Sequence, residues 1–314
     1  DGRPRYGNPY YGFNDNNYDI VVNNTSKGRS HIAVIRLNKD FDWGLSLGGS
    51  YSWQDVKDVG SATSSTINSN YRYQSFDNPN YPAYGTSNNQ VKWQFKYNVG
   101  YSHAFFGDYK TVFQLFGETR AGLPYSFGML DNTSSRSSVF GTILNPNQST
   151  ILLYVPTSTT DPLVSYDSTN TANSLDALIN STALKNYRGK VSAKNIGRSR
   201  AFTRIDLHLE QEIPTFVGGS RIALFADINN LTNLLNKNWG GLRQLGFPGA
   251  AGVVNVQCLA APVATGTAAT GVVAGNTSQP CAQYRYSTYA APNDSALVVT
   301  PSLYTIRLGA RFSF

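Results

Sequence analysis

Charge is scarce in this chain. The 26 Lys and Arg and 19 Asp and Glu make 14% of 314 residues, against roughly 25% in an average soluble domain. Long apolar runs are missing too. No stretch approaches the ~18 consecutive apolar residues of a spanning helix, which excludes a helical membrane protein. There are two Cys, one Met and three His. That leaves no CxxC pair, and His31 and His103 add no ligand cluster to the third His. A phosphate-cradling glycine loop followed by a helix is also missing, as is a nucleophile elbow. Neither an enzyme nor a cofactor is expected. A net charge of +7 with 13% aromatics argues against charge-driven disorder.

What is present is aromatic, Asn/Ser-rich and strongly alternating. From Trp43, one face carries Trp43, Leu45, Leu47, Tyr51 and Trp53, and the other Ser46, Ser50, Ser52 and Gln54. That is the period of a β-strand with one apolar side. Trp93, Phe95, Tyr97, Val99, Tyr101 and Phe105 repeat the pattern, as do Tyr304, Ile306, Leu308, Ala310, Phe312 and Phe314. Seven strands are expected, at about 31–39, 43–55, 92–106, 110–122, 200–213, 221–231 and 303–314. Ordinary strands run ~5–6 residues; membrane-spanning strands need roughly 9–11 and are tilted. Short turns alternate with long connections over 56–91, 123–199 and 232–302, the asymmetry of periplasmic turns and extracellular loops.

The expected fold is therefore all-β: a transmembrane antiparallel barrel in a Gram-negative outer membrane, in contact with lipid and lipopolysaccharide. The competing expectation is a soluble lectin-like sandwich. Trp43, Leu45, Leu47, Tyr51, Trp53, Trp93 and Phe105 are assigned to the lipid face and its aromatic girdles. The last strand should end in the periplasm, which puts residues 1–30 in an extracellular loop. Seven strands is an odd number with two open edges, which lipid does not tolerate. Residues 1–314 are then expected to be the C-terminal part of a larger barrel.

Arg204, Asp206, His208, Glu210 and Glu212 share one face of the fifth strand, and Arg307 and Arg311 one face of the last. A His/carboxylate metal site is the sharper interpretation of the five. A polar lumen lining explains them better, because alternate residues of a barrel strand face inward. Lys185, Arg188, Lys190, Lys194, Arg198, Arg200 and Arg204 form a basic stretch without acids. It suits an anionic partner or a solvated loop root; no nucleic-acid module accompanies it. Residues 174–186 predict a short surface helix capped by Ser174. Loop tyrosines Tyr71, Tyr73, Tyr81, Tyr84 and Tyr125 are candidates for stacking on cargo. Cys258 and Cys281 share one loop and either pair, in an oxidising compartment, or stay as two thiols. Asn132–Ser134 and Asn276–Ser278 are triplets that an Asn/Ser-rich loop produces by chance.

The closing YTIRLGARFSF, with Phe312 and the final Phe314, resembles the C-terminal signal that outer-membrane proteins present to the barrel-assembly machinery. More widely, GLPYSFGMLD (122–131), ILLYVPTSTTDP (151–162), NYRGKVSAKN (186–195), RIDLHLEQEIP (204–214) and ALFADINNLTNLLNKNWG (223–240) resemble the barrel of Oar-like TonB-dependent receptors. Weaker matches reach back to YDIVVNN (18–24). That group carries a carboxypeptidase-regulatory-like domain ahead of its plug. The resemblance implies a 22-stranded barrel, of which these are the last seven strands. It also implies energised transport through the TonB complex, which acts on an N-terminal part that this sequence does not contain. The rival expectation is a surface binding or adhesion protein that the barrel merely anchors. The cargo is not encoded in any of these motifs.

Overall fold

The computed structural model describes residues 1–7, 20–60, 64–132, 136–141, 148–215, 218–275 and 277–314. Asn276, Thr133, Ser134 and the start of the 18–24 segment lie outside them.

Seven long strands form one antiparallel sheet in chain order: β1 (Arg29–Asp40), β2 (Leu45–Asp58), β3 (Trp93–Phe106), β4 (Tyr109–Arg120), β5 (Phe202–Pro214), β6 (Arg221–Asn229) and β7 (Thr305–Ser313). A two-residue strand, Gly85–Thr86, adds to β2. The sheet is open: β1 and β7 are its edges and do not pair with each other. All three short turns sit at one end of it. The excursions 59–92, 121–201 and 230–304 leave from the other.

The register explains why these strands assemble. Leu47 faces Val99, Val99 faces Leu115, Leu115 faces Leu207 and Leu207 faces Ile228. The apolar sides therefore merge into one surface across the sheet. A one-residue slip would turn every one of them over. Glycines fit two crossings. A Cβ on Gly44, at φ +97, would lie 2.1 Å from the Ser102 carbonyl oxygen, so the turn into β2 requires glycine. One on Gly117 would lie 2.0 Å from the Tyr97 ring, which covers it from the neighbouring strand. Trp43, expected on β2, lies in that turn instead, because Gly44 delays the start of the strand.

None of the long-strand apolar face belongs to the buried core. That core lies in the excursions, which fold into a module of their own. The module has a six-stranded mixed sheet built on Pro124–Asp131, Ala250–Leu259 and Gln283–Ser287, with three further strands. Phe127, Met129, Phe140, Ile151, Leu153, Tyr166, Leu175, Val254 and Tyr286 fill its interior. Residues 1–7 pack here as well: Arg3 Nη1 donates to Leu152 O at 2.8 Å, and its guanidinium lies over the rings of Phe140 and Tyr284.

The helix spans Thr169–Ser181 and is capped by Ser168, whose Oγ accepts from Thr171 N at 3.2 Å. Ser174, the expected cap, lies a turn inside. The helix lies at the surface of the module, with Thr169, Asn170, Asn173, Ala177 and Asn180 exposed and Thr171, Leu175 and Ile179 forming a buried stripe against the core. Cys258 and Cys281 are joined by a disulfide. Closing a loop with a sequence separation of 23 residues contributes about 3 kcal/mol by constraining the unfolded chain.

Asp161 organises the return from the strand Tyr154–Val155. It accepts from Thr157 N (2.7 Å), Thr157 Oγ1 (3.0 Å), Leu163 N (2.9 Å) and Tyr154 OH (3.1 Å). Burial raises this carboxyl, but the four hydrogen bonds outweigh it and hold Asp161 below the usual carboxylate range. Burial, with the charge of Asp161, pushes Tyr154 up to about 12. A depressed carboxylate stabilises the fold above its unfolded pKa of about 4, and that stability is lost as pH falls through the lower folded value. Asp161→Asn is expected to cost about 1–3 kcal/mol at neutral pH and to flatten the acid limb of unfolding. An acid titration followed by tyrosine near-UV circular dichroism checks both; an unchanged acid limb would remove Asp161 from this role.

Candidate functional site

The polar face of the long sheet is a ladder of neutralised charge. Every second residue of β5 points to it, and the register brings β6 and β7 alongside. His208 pairs with Asp227, and Asp227 with Arg307. His208 Nδ1 donates to Asp227 Oδ1 at 2.5 Å, while Arg307 Nε and Nη2 donate to Asp227 Oδ2 at 2.9 and 2.6 Å. Arg311 Nη2 reaches Glu210 Oε1 at 2.6 Å. It crosses above β6 at Ala223, its register partner, which is small and buried. Arg204 Nε donates to Asp206 Oδ1 at 2.7 Å, and Glu212 accepts from Lys110 N and Arg221 Nη1.

All seven predicted lumen residues thus share one face and engage one another or a neighbouring strand. The carboxylates lie beneath exposed arginines: Glu210 is 10% and Arg311 62% exposed at the side chain. A concavity of about 510 Å³ opens between Gln114, Phe116, Asp206, His208, Asp227 and Arg307. Among the described residues, no group of three or more His, Cys, Asp or Glu is placed to hold a metal ion.

The opposite face is apolar and uncovered. Aromatics gather at the ends of β2, β3 and β7. Toward the excursions these are Trp53, Trp93, Tyr51 and Phe95, with Trp53 directly opposite Trp93. Toward the short turns they are Trp43, Tyr101, Phe105 and Phe312, with Trp43 and Phe105 within 6.2 Å of Tyr101 by ring centroid. Between them lie Leu45, Leu47, Val99, Leu115, Leu207, Leu209 and Leu308. Leu209 is 39% and Leu308 75% exposed. Phe312 and Phe314 are exposed, with ring centroids 5.9 Å apart.

The basic stretch does not form one surface. Lys194 is buried against Asp58 at 2.5 Å, Arg188 binds Asp176 at 2.7 Å, and Arg198 donates to Gly122 O and Gln90 Oε1. Folding of the excursion over 121–201 gives these three cations separate partners within the protein, while Lys185, Lys190 and Arg200 stay exposed. Tyr125 is equally removed from cargo binding, because its ring is buried over Gly197 and its OH donates to Asp294. Tyr73, Tyr81 and Tyr84 are exposed.

Sequence reasoning missed the junction residue Asn230. It sits at φ 56, where Asn is tolerated. Its Nδ2 donates to Gly240 O and Ser302 O, and its backbone N to Asp206. The run Asn229–Asn230 directly after an alternating strand is the signal that marks it. Comparison with protein-family models, with curated proteins and with solved structures returns no match.

Proposed function

We propose that the long-strand sheet is part of a lipid-embedded outer-membrane β-barrel, and that the folded excursions stand outside it and collect a substrate for TonB-dependent transport. The observation that carries this is the exposed apolar face. Six strand spacings of ~4.8 Å by a height of ~25 Å give roughly 700 Å². The largest patch on a soluble monomer is typically about 300–600 Å². Its middle is mainly aliphatic, with Tyr97 and Phe113 among the leucines, and its two margins are aromatic, as suits a bilayer core between two interfaces. The charge-paired reverse face suits an enclosed polar lumen. The unpaired ladders of β1 and β7 call for further strands to close the barrel, as a 22-stranded receptor would supply. The segments similar to Oar-like receptors point the same way, and that similarity is the ground for transport.

A second assignment, a surface binding protein held by an anchoring barrel, is favoured by the excursions having a core of their own. Two experiments separate the two assignments and test the topology they share. An epitope inserted at Gly266 should be stained on intact cells, and one at Gly218 only after permeabilisation. Equal staining of both would refute the membrane topology. Loss of the inner-membrane TonB complex should abolish transport while surface binding persists. A phenotype indifferent to that loss would leave only the anchored binder.

A further inference from the structure

All three excursions meet at one pocket of about 310 Å³, at the low end of ligand sites. Ser64, Tyr73, Gln74 and Asn88 come from the first, Leu123 and Pro124 from the second, and Gln244 to Gly249 from the third. Its chemistry is the reverse of the ladder on the sheet, because no charged residue lines it. Gln74 and Gln244 are only half-buried, and among the described residues their side-chain amides make no hydrogen bond. Asn195 donates to Asn88 Oδ1 and to Thr86 O, fixing the Asn88 side chain in place.

An aromatic platform stands at the rim. Gly249 N donates to Gly246 O at 2.9 Å, closing a turn that lifts Phe247 outward. The ring is 76% exposed and is held by the edge of Tyr73, with centroids 4.6 Å apart. Both sides of the turn are anchored: Leu245 N donates to Ser199 Oγ, and Ser126 N to Gly249 O. The platform is therefore positioned before any ligand arrives.

We infer that this pocket binds a neutral saccharide. Amide side chains donate and accept at once, which matches hydroxyls. An exposed aromatic face suits the C–H face of a pyranose. The missing charge disfavours phosphorylated, carboxylated or metal-chelate cargo, whose desolvated charge would find no partner. A peptide docking as an added strand would need an open strand edge, and of the lining residues only Pro124, which has no N–H to donate, belongs to a strand. The inference deepens the receptor assignment by naming a substrate class, and it rests on that assignment only for the transport step after capture.

The test is calorimetric titration of the detergent-purified protein with maltohexaose, cellohexaose, xylohexaose and mannohexaose, and with galacturonate oligomers and a ferric catecholate chelate as charged probes. At least one neutral oligosaccharide should bind. Phe247→Ala should weaken it at least about tenfold and Phe247→Trp should retain it. Gln74→Ala and Gln244→Ala should each weaken it several-fold, while Trp239→Ala, exposed and outside the pocket, changes nothing. No binding by any neutral probe would overturn the inference, as would affinity indifferent to Phe247→Ala and Gln244→Ala, or a charged probe or peptide preferred at the same residues. The epitope experiment is run on the same protein. A failed topology with intact saccharide binding condemns the barrel and not the pocket, and the converse condemns only the pocket.

Discussion

Leu209→Arg is expected to cost the protein, refolded into phospholipid vesicles, about 2–4 kcal/mol, the range for a basic side chain near the bilayer midplane of a barrel. Leu209 lies near the middle of β5, between Phe113 of β4 and Ala226 of β6, and is 39% exposed. If the face met water, the same change would fall within about 0.5 kcal/mol, as exposed substitutions do. The two solvents therefore predict different numbers for one mutation. Phe116→Arg is the matched control. Phe116 is 46% exposed but faces the polar side, beside Asp206 in the register. There an arginine should cost no more than about 1 kcal/mol. Urea unfolding in vesicles reads both through Trp43, Trp53 and Trp93, which lie on or beside the sheet. Equal, small costs at both positions would mean that the face is wet, and the receptor assignment would fall with it.

The long sheet was legible in the sequence because each strand separates its chemistry by parity. Trp43 to Trp53 and Tyr304 to Phe314 announce period 2 without any knowledge of partners, and the charged ladder on β5 does the same from its other side. The strand ends were off by only a few residues, and where a start was missed, as at Trp43, a glycine forced by close backbone approach was the cause. The module was not legible, also for physical reasons. Pro124–Asp131 and Ala250–Leu259 are buried on both faces, so no alternation marks them. They pair in parallel across more than a hundred residues of chain, a contact that no local pattern encodes. The capping serine was missed because Ser168 and Ser174 look alike in sequence; what selects Ser168 is the strand Val164–Tyr166 that delivers it in extended form. The saccharide pocket was invisible for the same reason as the module, since its residues come from three excursions that only folding joins.

That distinction sets up the second large effect. Phe127→Ala is expected to destabilise the module by about 3–5 kcal/mol, through lost transfer energy and the cavity left behind. Phe127 is 1% exposed and packs edge-on to Tyr125 at 5.2 Å. Its carbonyl accepts from Leu153 N, so the truncated site is pinned and cannot collapse freely. Amides of Pro124–Asp131, Ala250–Leu259 and Gln283–Ser287 should lose hydrogen-exchange protection. Those of β2, β3 and β4 should keep it, because their ladder bonds are made within the sheet and its apolar face contributes nothing to the module core. Saccharide binding should weaken in parallel, since Pro124 and Gly249 of the pocket sit where the two paired strands begin. If instead protection in β2 to β4 fell in step, sheet and module would be one cooperative unit. The excursions would then brace the sheet itself, and the separate core would no longer count in favour of an independently displayed binding module.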